Sequence, residues 1–185
     1  MDELFQRTVD FIRQEFGTQG NIALHEPRFT GNEKKYVMEA IESTFVSSVG
    51  QFVTRFEEMM CSITGAPYAV ATMNGTSALH VALRLVGVER DDEVIVPPLS
   101  FVATANAVLY CGATPLFIDV DRTTLGLSPQ SVVEFLKEHA QIQTKGSCLN
   151  KLTGRRISAC VPVHVFGHPC RVDEIAEVCA GYGIP

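Results

Sequence analysis

The feature that most constrains the fold is a strand-helix alternation that begins after Pro67. Short runs rich in branched apolar residues are typical of buried strands, and each is followed by a longer segment of helical periodicity. The predicted strands cover 68–72, 93–96, 115–119 and 157–163, and the predicted helices cover 77–86, 103–110, 129–140 and 172–182. Strands that alternate with helices pair in parallel through right-handed crossovers. The sequence therefore predicts an α/β protein whose parallel or mixed sheet has helices on both faces.

The part of the chain before this alternation is predicted to be helical. Apolar spacing indicates an amphipathic N-terminal helix, a second helix over 32–44 and a third over 52–63. We divide the chain into a helical arm over 1–20 and an α/β domain over 21–185. The small, polar segment 45–50 is either a plain connector or a substrate-facing loop.

A polar segment over 141–156 interrupts the alternation. It is interpreted as a solvated loop or a loose hairpin, and the alternative is a basic patch that binds phosphate. No strand is predicted after the last helix, so we expect one edge of the sheet to be exposed.

Composition limits the classes of function. The formal net charge of −6 argues against a nucleic-acid platform, because such binding depends on Lys and Arg that neutralise phosphates. The N-terminus lacks the pattern of a signal peptide and no apolar run is long enough to cross a bilayer, so we expect a cytoplasmic protein. The six cysteines show neither a CxxC pair nor zinc-ligand spacing, which predicts reduced thiols and no metal site.

The most informative local pattern is the turn over 73–79, between a predicted strand and a predicted helix. The N-terminus of a helix that follows a strand is where α/β sheets bind anions. Backbone N–H groups and hydroxyls of Thr76 and Ser77 could donate to such a ligand, and Gly75 permits its close approach. The alternative is a helix capped by Thr76 or Ser77 with no ligand at all. The turn has neither the Walker spacing nor a GxGxxG motif, so it indicates neither an NTPase nor a dinucleotide-binding turn.

A second pattern, Pro-Pro-Leu-Ser-Phe, follows the next predicted strand and ends at Phe101. An aromatic face at that edge could stack on a planar ligand. The alternative is a core phenylalanine. A phosphate cradle and an aromatic platform at neighbouring strand ends together suggest a phosphorylated aromatic ring.

Blocks at 75–79, 97–107, 112–121 and 162–169 occur in the order of the signature blocks of the DegT/DnrJ/EryC1/StrS sugar aminotransferases. The chain resembles that family from about residue 24 to its last residue. The order of four blocks is far more specific than any single motif.

The resemblance implies a pyridoxal 5′-phosphate enzyme with the large domain of the fold-type I aspartate aminotransferases. In the family pattern, Gly75, Thr76 and Ser77 hold the cofactor phosphate and Phe101 stacks on the pyridine ring. His164 would lie near the face of the cofactor, although it also reads as a plain histidine at a strand end.

The resemblance also implies the reaction. The segments around 24–27, 31–33 and 45–50 resemble the branch that aminates C4 of UDP- or GDP-linked 4-keto-6-deoxy-hexoses, with glutamate or glutamine as amino donor. In that branch Ser47 and Ser48 contact the sugar. The full-length enzymes are expected to be homodimers and to serve surface-polysaccharide or amino-sugar biosynthesis.

In the family pattern, the aspartate that bonds the pyridinium nitrogen and the lysine that forms the Schiff base come after the equivalent of Pro185. The lysines of this chain lie on predicted solvated surfaces: Lys34, Lys35, Lys137, Lys145 and Lys151. We therefore expect an N-terminal half without a catalytic residue of its own, which is inactive alone. The alternatives are a non-catalytic binding or assembly fragment and a sugar dehydratase of the same fold.

Overall fold

The computed structural model describes residues 3–23, 26–144 and 146–185. These residues form two units, Met1–Ala71 and Thr72–Pro185. Among the described residues, no helix has both the length and the apolar composition that a membrane span requires.

The first unit contains three helices, α1 (Glu3–Phe16), α2 (Glu33–Glu42) and α3 (Gln51–Thr64). All three were predicted from apolar periodicity, and the structure confirms them with small shifts at the ends. Tyr36 of α2 contacts Phe52 of α3 with ring centroids 5.4 Å apart, and the Arg55 guanidinium lies over the same tyrosine ring. The third helix ends at Gly65, which adopts the left-handed conformation with φ of 73°.

The second unit contains the alternating elements. In chain order they are α4 (Gly75–Leu85), β1 (Glu93–Val96), α5 (Ala103–Tyr110), β2 (Thr114–Phe117), α6 (Pro129–His139), β3 (Ala140–Ile142), β4 (Cys148–Asn150), β5 (Arg156–Cys160), a 3-10 turn (Val165–Gly167) and α7 (Val172–Ala180). The helices predicted after Pro67 are confirmed, as are the predicted strands that correspond to β1, β2 and β5.

The strands form one mixed sheet in the order β2-β1-β5-β4-β3. The neighbours β2, β1 and β5 are parallel, whereas β4 and β3 form an antiparallel hairpin at one end. The polar segment 141–156 is therefore the hairpin that the sequence allowed. At the other end, β2 lies at an edge of the sheet, where Phe117 is 55% exposed.

Helices cover both faces of the sheet, as predicted. Ile95 of β1 packs with Leu136 of α6 and Ile175 of α7. Its neighbours Val94 and Val96 point to the opposite face and pack with residues of α4 and α5. Strand β5 keeps its contacts with β1 through a register shift between the pairs of Glu93 and Val94, a β-bulge.

The predicted strand 68–72 is wrong in this structure. Tyr68 is 86% exposed and Val70 is 82% exposed, and the segment forms no strand. The backbone N–H of Ala71 donates to the Glu57 carboxylate of α3 instead of to a neighbouring strand. Apolar composition predicts burial, but a strand also needs a partner for its backbone groups.

Polar side chains join β1 to β5 and β4 at the amino ends of the two parallel strands. The guanidinium of Arg156 donates from Nε to Asp92 Oδ1 at 3.0 Å, and its Nη2 donates to Asp92 Oδ2 and to the Gly87 carbonyl. Asn150 of the hairpin donates to the buried Glu93 carboxylate at 2.7 Å. Burial alone would raise the pKa of Asp92, but the hydrogen bonds from Arg156 and from the Glu89 N–H outweigh it and lower that pKa.

Candidate functional site

The carboxyl ends of the parallel strands form the candidate site. Because β1 and β5 are parallel neighbours, the loops that follow them leave the sheet at the same edge. Helix α4 precedes β1 through a short connection and packs on the same face as α5. Its N-terminus therefore lies at the same edge as the N-terminus of α5, where open α/β sheets bind their ligands.

Asn74 caps the N-terminus of α4. Its backbone is extended, and its side-chain oxygen accepts the Ser77 N–H at 2.8 Å. Two sequence expectations are therefore wrong: neither Thr76 nor Ser77 is the cap, and the Ser77 N–H is not free for a ligand. The signal was present in the sequence, because asparagine directly before a helix is among the favoured caps.

Two donors remain at this helix end. Within the described parts of the chain, no acceptor bonds to the backbone N–H of Gly75 or Thr76. A Cβ added to Gly75 would meet no atom within 4 Å, so the packing of the described chain does not require glycine here. Open space, two free N–H groups, the hydroxyls of Thr76 and Ser77 and the positive end of the helix dipole together suit a phosphate dianion.

The loop after β1 presents Phe101 to solvent. Phe101 is 79% exposed, so the alternative that it is a core residue is wrong. A hydrogen bond of 2.7 Å joins the hydroxyls of Ser100 and Thr104, and the Thr104 N–H donates to the Phe101 carbonyl at 3.1 Å. These bonds fix the turn into α5 and leave the aromatic face available for a planar ring.

The loop after β5 carries His164, which is exposed. Its Nδ1 accepts the backbone N–H of Cys170 at 3.1 Å. A nitrogen that accepts a hydrogen bond carries no proton, so the neutral imidazole has its proton on Nε2 and offers a donor there. No sequence pattern indicates this contact, because it joins a side chain to a backbone group on the far side of a turn.

Gly126 packs against the same loop. A Cβ at this position would lie 2.5 Å from the Cβ of Cys170 and 3.1 Å from the Val163 carbonyl. Only glycine allows this close approach, although its φ is not in the left-handed region. Sequence reasoning missed Gly126, since nothing in its local pattern distinguishes a close contact from an ordinary loop glycine.

The two predicted substrate contacts belong to the first unit. Ser47 and Ser48 lie on the segment between α2 and α3, and both are exposed. An adjacent cavity of about 420 Å³ is lined by neighbouring residues such as Phe45 and Phe52 but not by either serine. A role in sugar binding stays a prediction for both residues.

The lysines that the structure describes are all exposed: Lys34, Lys35, Lys137 and Lys151. Lys145 lies outside the described residues. A nucleophilic lysine needs desolvation or a cationic neighbour, and an exposed side chain is not desolvated. The described part of the chain thus offers groups that suit a phosphate and a planar ring but no lysine suited to covalent catalysis.

Residues 27–185 match the family model of the DegT/DnrJ/EryC1/StrS aminotransferase family. The GDP-perosamine synthase of Caulobacter vibrioides is 40% identical over 157 residues, which cover 85% of this chain and 38% of that protein. Among solved structures, the aminotransferase from Psychrobacter cryohalolentis matches with a TM-score of 0.70 and 32% identity, over 85% of this chain and 36% of that one.

A further solved structure is that of DesI in the presence of its TDP-sugar product. It matches with a TM-score of 0.64 and 30% identity, over 91% of this chain and 40% of that one. The chain therefore spans well under half the length of the relatives that it matches.

Proposed function

The chain belongs to the DegT/DnrJ/EryC1/StrS aminotransferase family, and on this basis we propose that it builds the cofactor-binding edge of a sugar-nucleotide aminotransferase. Enzymes of this family depend on pyridoxal 5′-phosphate. The proposed reaction moves an amino group from an amino acid, with glutamate as the expected donor, to the C4 keto group of a nucleotide-linked 4-keto-6-deoxy sugar. The proposed enzyme is a homodimer.

The observation that carries the proposal is the pair of unbonded N–H groups at Gly75 and Thr76 beside an open Gly75 Cβ position. A phosphate accepts hydrogen bonds from such groups without displacing any protein contact. Phe101 lies in the loop after β1, and its exposed ring suits stacking on the face of a pyridine ring. The residues present therefore fit the phosphate and the ring of the family's cofactor.

Relatives support the substrate class. One is named GDP-perosamine synthase, and another was solved in the presence of its TDP-sugar product. Both names contain a sugar that is linked to a nucleoside diphosphate. We assign the same class of substrate to this chain, with Ser47 and Ser48 as contacts to the sugar.

The residues of this chain bind and orient rather than react. Gly75 and Thr76 hold the phosphate through their N–H groups, and the hydroxyls of Thr76 and Ser77 add donors. Phe101 excludes water from one face of the ring, and His164 presents a fixed Nε2–H donor. When bound, pyridoxal phosphate supplies the electron-accepting ring that the transfer of an amino group requires.

A second role, binding without turnover, is favoured for the 185-residue chain by itself because its described lysines are exposed. We propose that this chain binds pyridoxal phosphate reversibly and does not transfer amino groups. Alanine, glutamate and a keto-sugar nucleotide would then produce no keto acid when added to it.

The test is a calorimetric titration of the chain with pyridoxal phosphate. Thr76→Val removes one hydroxyl donor to a charged acceptor and is expected to weaken binding about tenfold. The control Thr8→Val removes an exposed hydroxyl of α1 and should leave the affinity unchanged. Equal affinities for the wild type and Thr76→Val would contradict the assignment of the phosphate site.

A further inference from the structure

A group of buried thiols lies on one face of the sheet, and the proposed function uses none of these sulfur atoms. Cys148, Cys170 and Cys179 belong to the core between β5, α6 and α7, and Cys160 packs against it. The described cysteines are all free. A buried free thiol often serves as a small apolar residue, so the question is whether any two of these sulfurs are placed to react.

Cys160 and Cys179 are the pair that the structure brings together. Cys160 is the last residue of β5, and Cys179 lies in the last turn of α7. Both line the same cavity of about 290 Å³, together with apolar residues that include Ile175 and Ile184. The end of β5 and the last turn of α7 thus meet at one small cavity.

The backbone holds the two positions together. The chain turns back after α7, so that the Ile184 N–H donates to the Cys179 carbonyl at 3.0 Å. The Cys160 N–H in turn donates to the Pro185 carbonyl at 2.9 Å. Residues 184 and 185 therefore connect the backbone of one cysteine to that of the other.

The two thiols also affect each other's ionisation. The neighbouring Cys179 thiol raises the pKa of Cys160 and the Cys160 thiol lowers the pKa of Cys179, while burial opposes ionisation of both. Burial raises the pKa of the Cys148 and Cys170 thiols, and no neighbouring thiol lowers it. Because the thiolate is the reactive form, Cys179 is the best nucleophile of the group.

We propose that Cys160 and Cys179 are a redox-sensitive dithiol that hydrogen peroxide converts into an intramolecular disulfide between the end of β5 and α7. Peroxide is small enough to enter the cavity that both residues line, although Cys179 itself is only 3% exposed. The disulfide would join the strand that leads into the His164 loop to the helix that follows it.

The reaction balances as follows. The Cys179 thiolate attacks one oxygen of hydrogen peroxide, the O–O bond breaks, and the hydroxide that leaves takes up the proton that Cys179 had lost, giving water and a sulfenic acid. The Cys160 sulfur then attacks the Cys179 sulfur and expels hydroxide, which takes the Cys160 proton as a second water. The two thiols lose two electrons, and the peroxide gains them.

The test treats the full chain with stoichiometric hydrogen peroxide, alkylates the remaining thiols under denaturing conditions and maps the peptides by mass spectrometry. We expect the loss of two of the six thiols and one linked pair of peptides that contains Cys160 and Cys179, reversed by dithiothreitol. Cys160→Ser and Cys179→Ser should each abolish the linked pair, whereas Cys148→Ser and Cys170→Ser should retain it.

A second measurement needs no substitution and no oxidation. Phenylarsine oxide bridges two neighbouring thiols, so the reduced wild type should bind one equivalent and protect Cys160 and Cys179 from alkylation. The proposal is wrong if peroxide links any other pair, if only single thiols are oxidised, or if the arsenical protects a different pair.

Discussion

In the unit Thr72–Pro185, the amino ends of the parallel strands form one edge of the sheet, the amino edge, and their carboxyl ends form the opposite one, the carboxyl edge. These two edges use their polar groups in opposite ways. At the amino edge, Asp92, Arg156 and Asn150 bond to partners within the chain. At the carboxyl edge, donors at Gly75 and Thr76 have no acceptor in the described chain, and Phe101 and its neighbours face solvent. Internal pairing stabilises the fold, whereas unpaired groups on a rigid frame are available to a ligand.

Breaking the amino edge should cost stability and little else. Arg156→Met leaves the largely buried Asp92 carboxylate without its cation. Loss of one partner of a fully buried ion pair costs several kcal/mol, but Arg156 is 37% exposed, so we expect about 2–3 kcal/mol. Urea unfolding measures the loss. Arg155→Met removes only an exposed hydrogen bond to Thr114 and is the matched control.

Gly126→Ala should reduce both the stability of the fold and the affinity for pyridoxal phosphate, because the glycine packs against the loop that carries His164. The new Cβ would lie 2.5 Å from the Cβ of Cys170, and relief of that overlap should cost about 2 kcal/mol. Displacement of the loop should also weaken binding of pyridoxal phosphate. Gly75→Ala is the matched control for stability, since its Cβ meets nothing. Equal stability of Gly126→Ala and the wild type would contradict the close contact.

Phe101→Ala should have the reverse effect of Arg156→Met. The ring is 79% exposed, so its removal should change the free energy of unfolding by less than about 0.5 kcal/mol. Loss of a stacking partner should weaken pyridoxal phosphate binding roughly fivefold to tenfold. Fluorescence titration measures the affinity, and Phe11→Ala, at an exposed phenylalanine of α1, is the control. A loss of stability without a loss of affinity would show that Phe101 is a core packing residue and would contradict its assignment to the cofactor site.

The smallest expected effect is a pH dependence of the amino edge. The folded-state pKa of Asp92 is lowered, so its contribution to stability is present above the unfolded pKa of about 3.9. That contribution is lost as the pH falls through the lower folded value. Asp92→Asn should therefore flatten the acid end of the stability curve below about pH 4. An unchanged curve in urea titrations at several pH values would argue against the pairing.

Local patterns predicted much of this fold. Periodicity identified the helices and the parallel strands β1, β2 and β5, because the covering helices have one apolar side and the central strands are buried on both faces. The segment 68–72 has the same apolar texture as β1, yet it forms no strand. A local pattern reports how apolar a segment is, but it does not report whether another strand lies beside it.

Contacts between distant residues were beyond the sequence patterns. Asp92 and Arg156 lie 64 residues apart, and Glu93 and Asn150 lie 57 apart. Each looks like an ordinary polar residue until the sheet order brings them together. Part of the candidate site was easier to locate, because Phe101 and His164 lie on the loops that follow β1 and β5. The prediction for Ser77 is wrong because Asn74, directly before α4, takes the capping position and accepts the Ser77 N–H.

We propose that the N-terminus of α4 holds the phosphate of pyridoxal phosphate, and amide NMR during a titration with that cofactor is the direct test. The backbone amides of Gly75 and Thr76 should shift strongly, and the Ser77 amide less, because it already bonds to Asn74. The amide of Arg156, at the opposite edge, should not move. Pyridoxal, which lacks the phosphate, should produce none of these shifts. Binding that leaves Gly75 and Thr76 unchanged, or equal shifts with pyridoxal, would contradict the account.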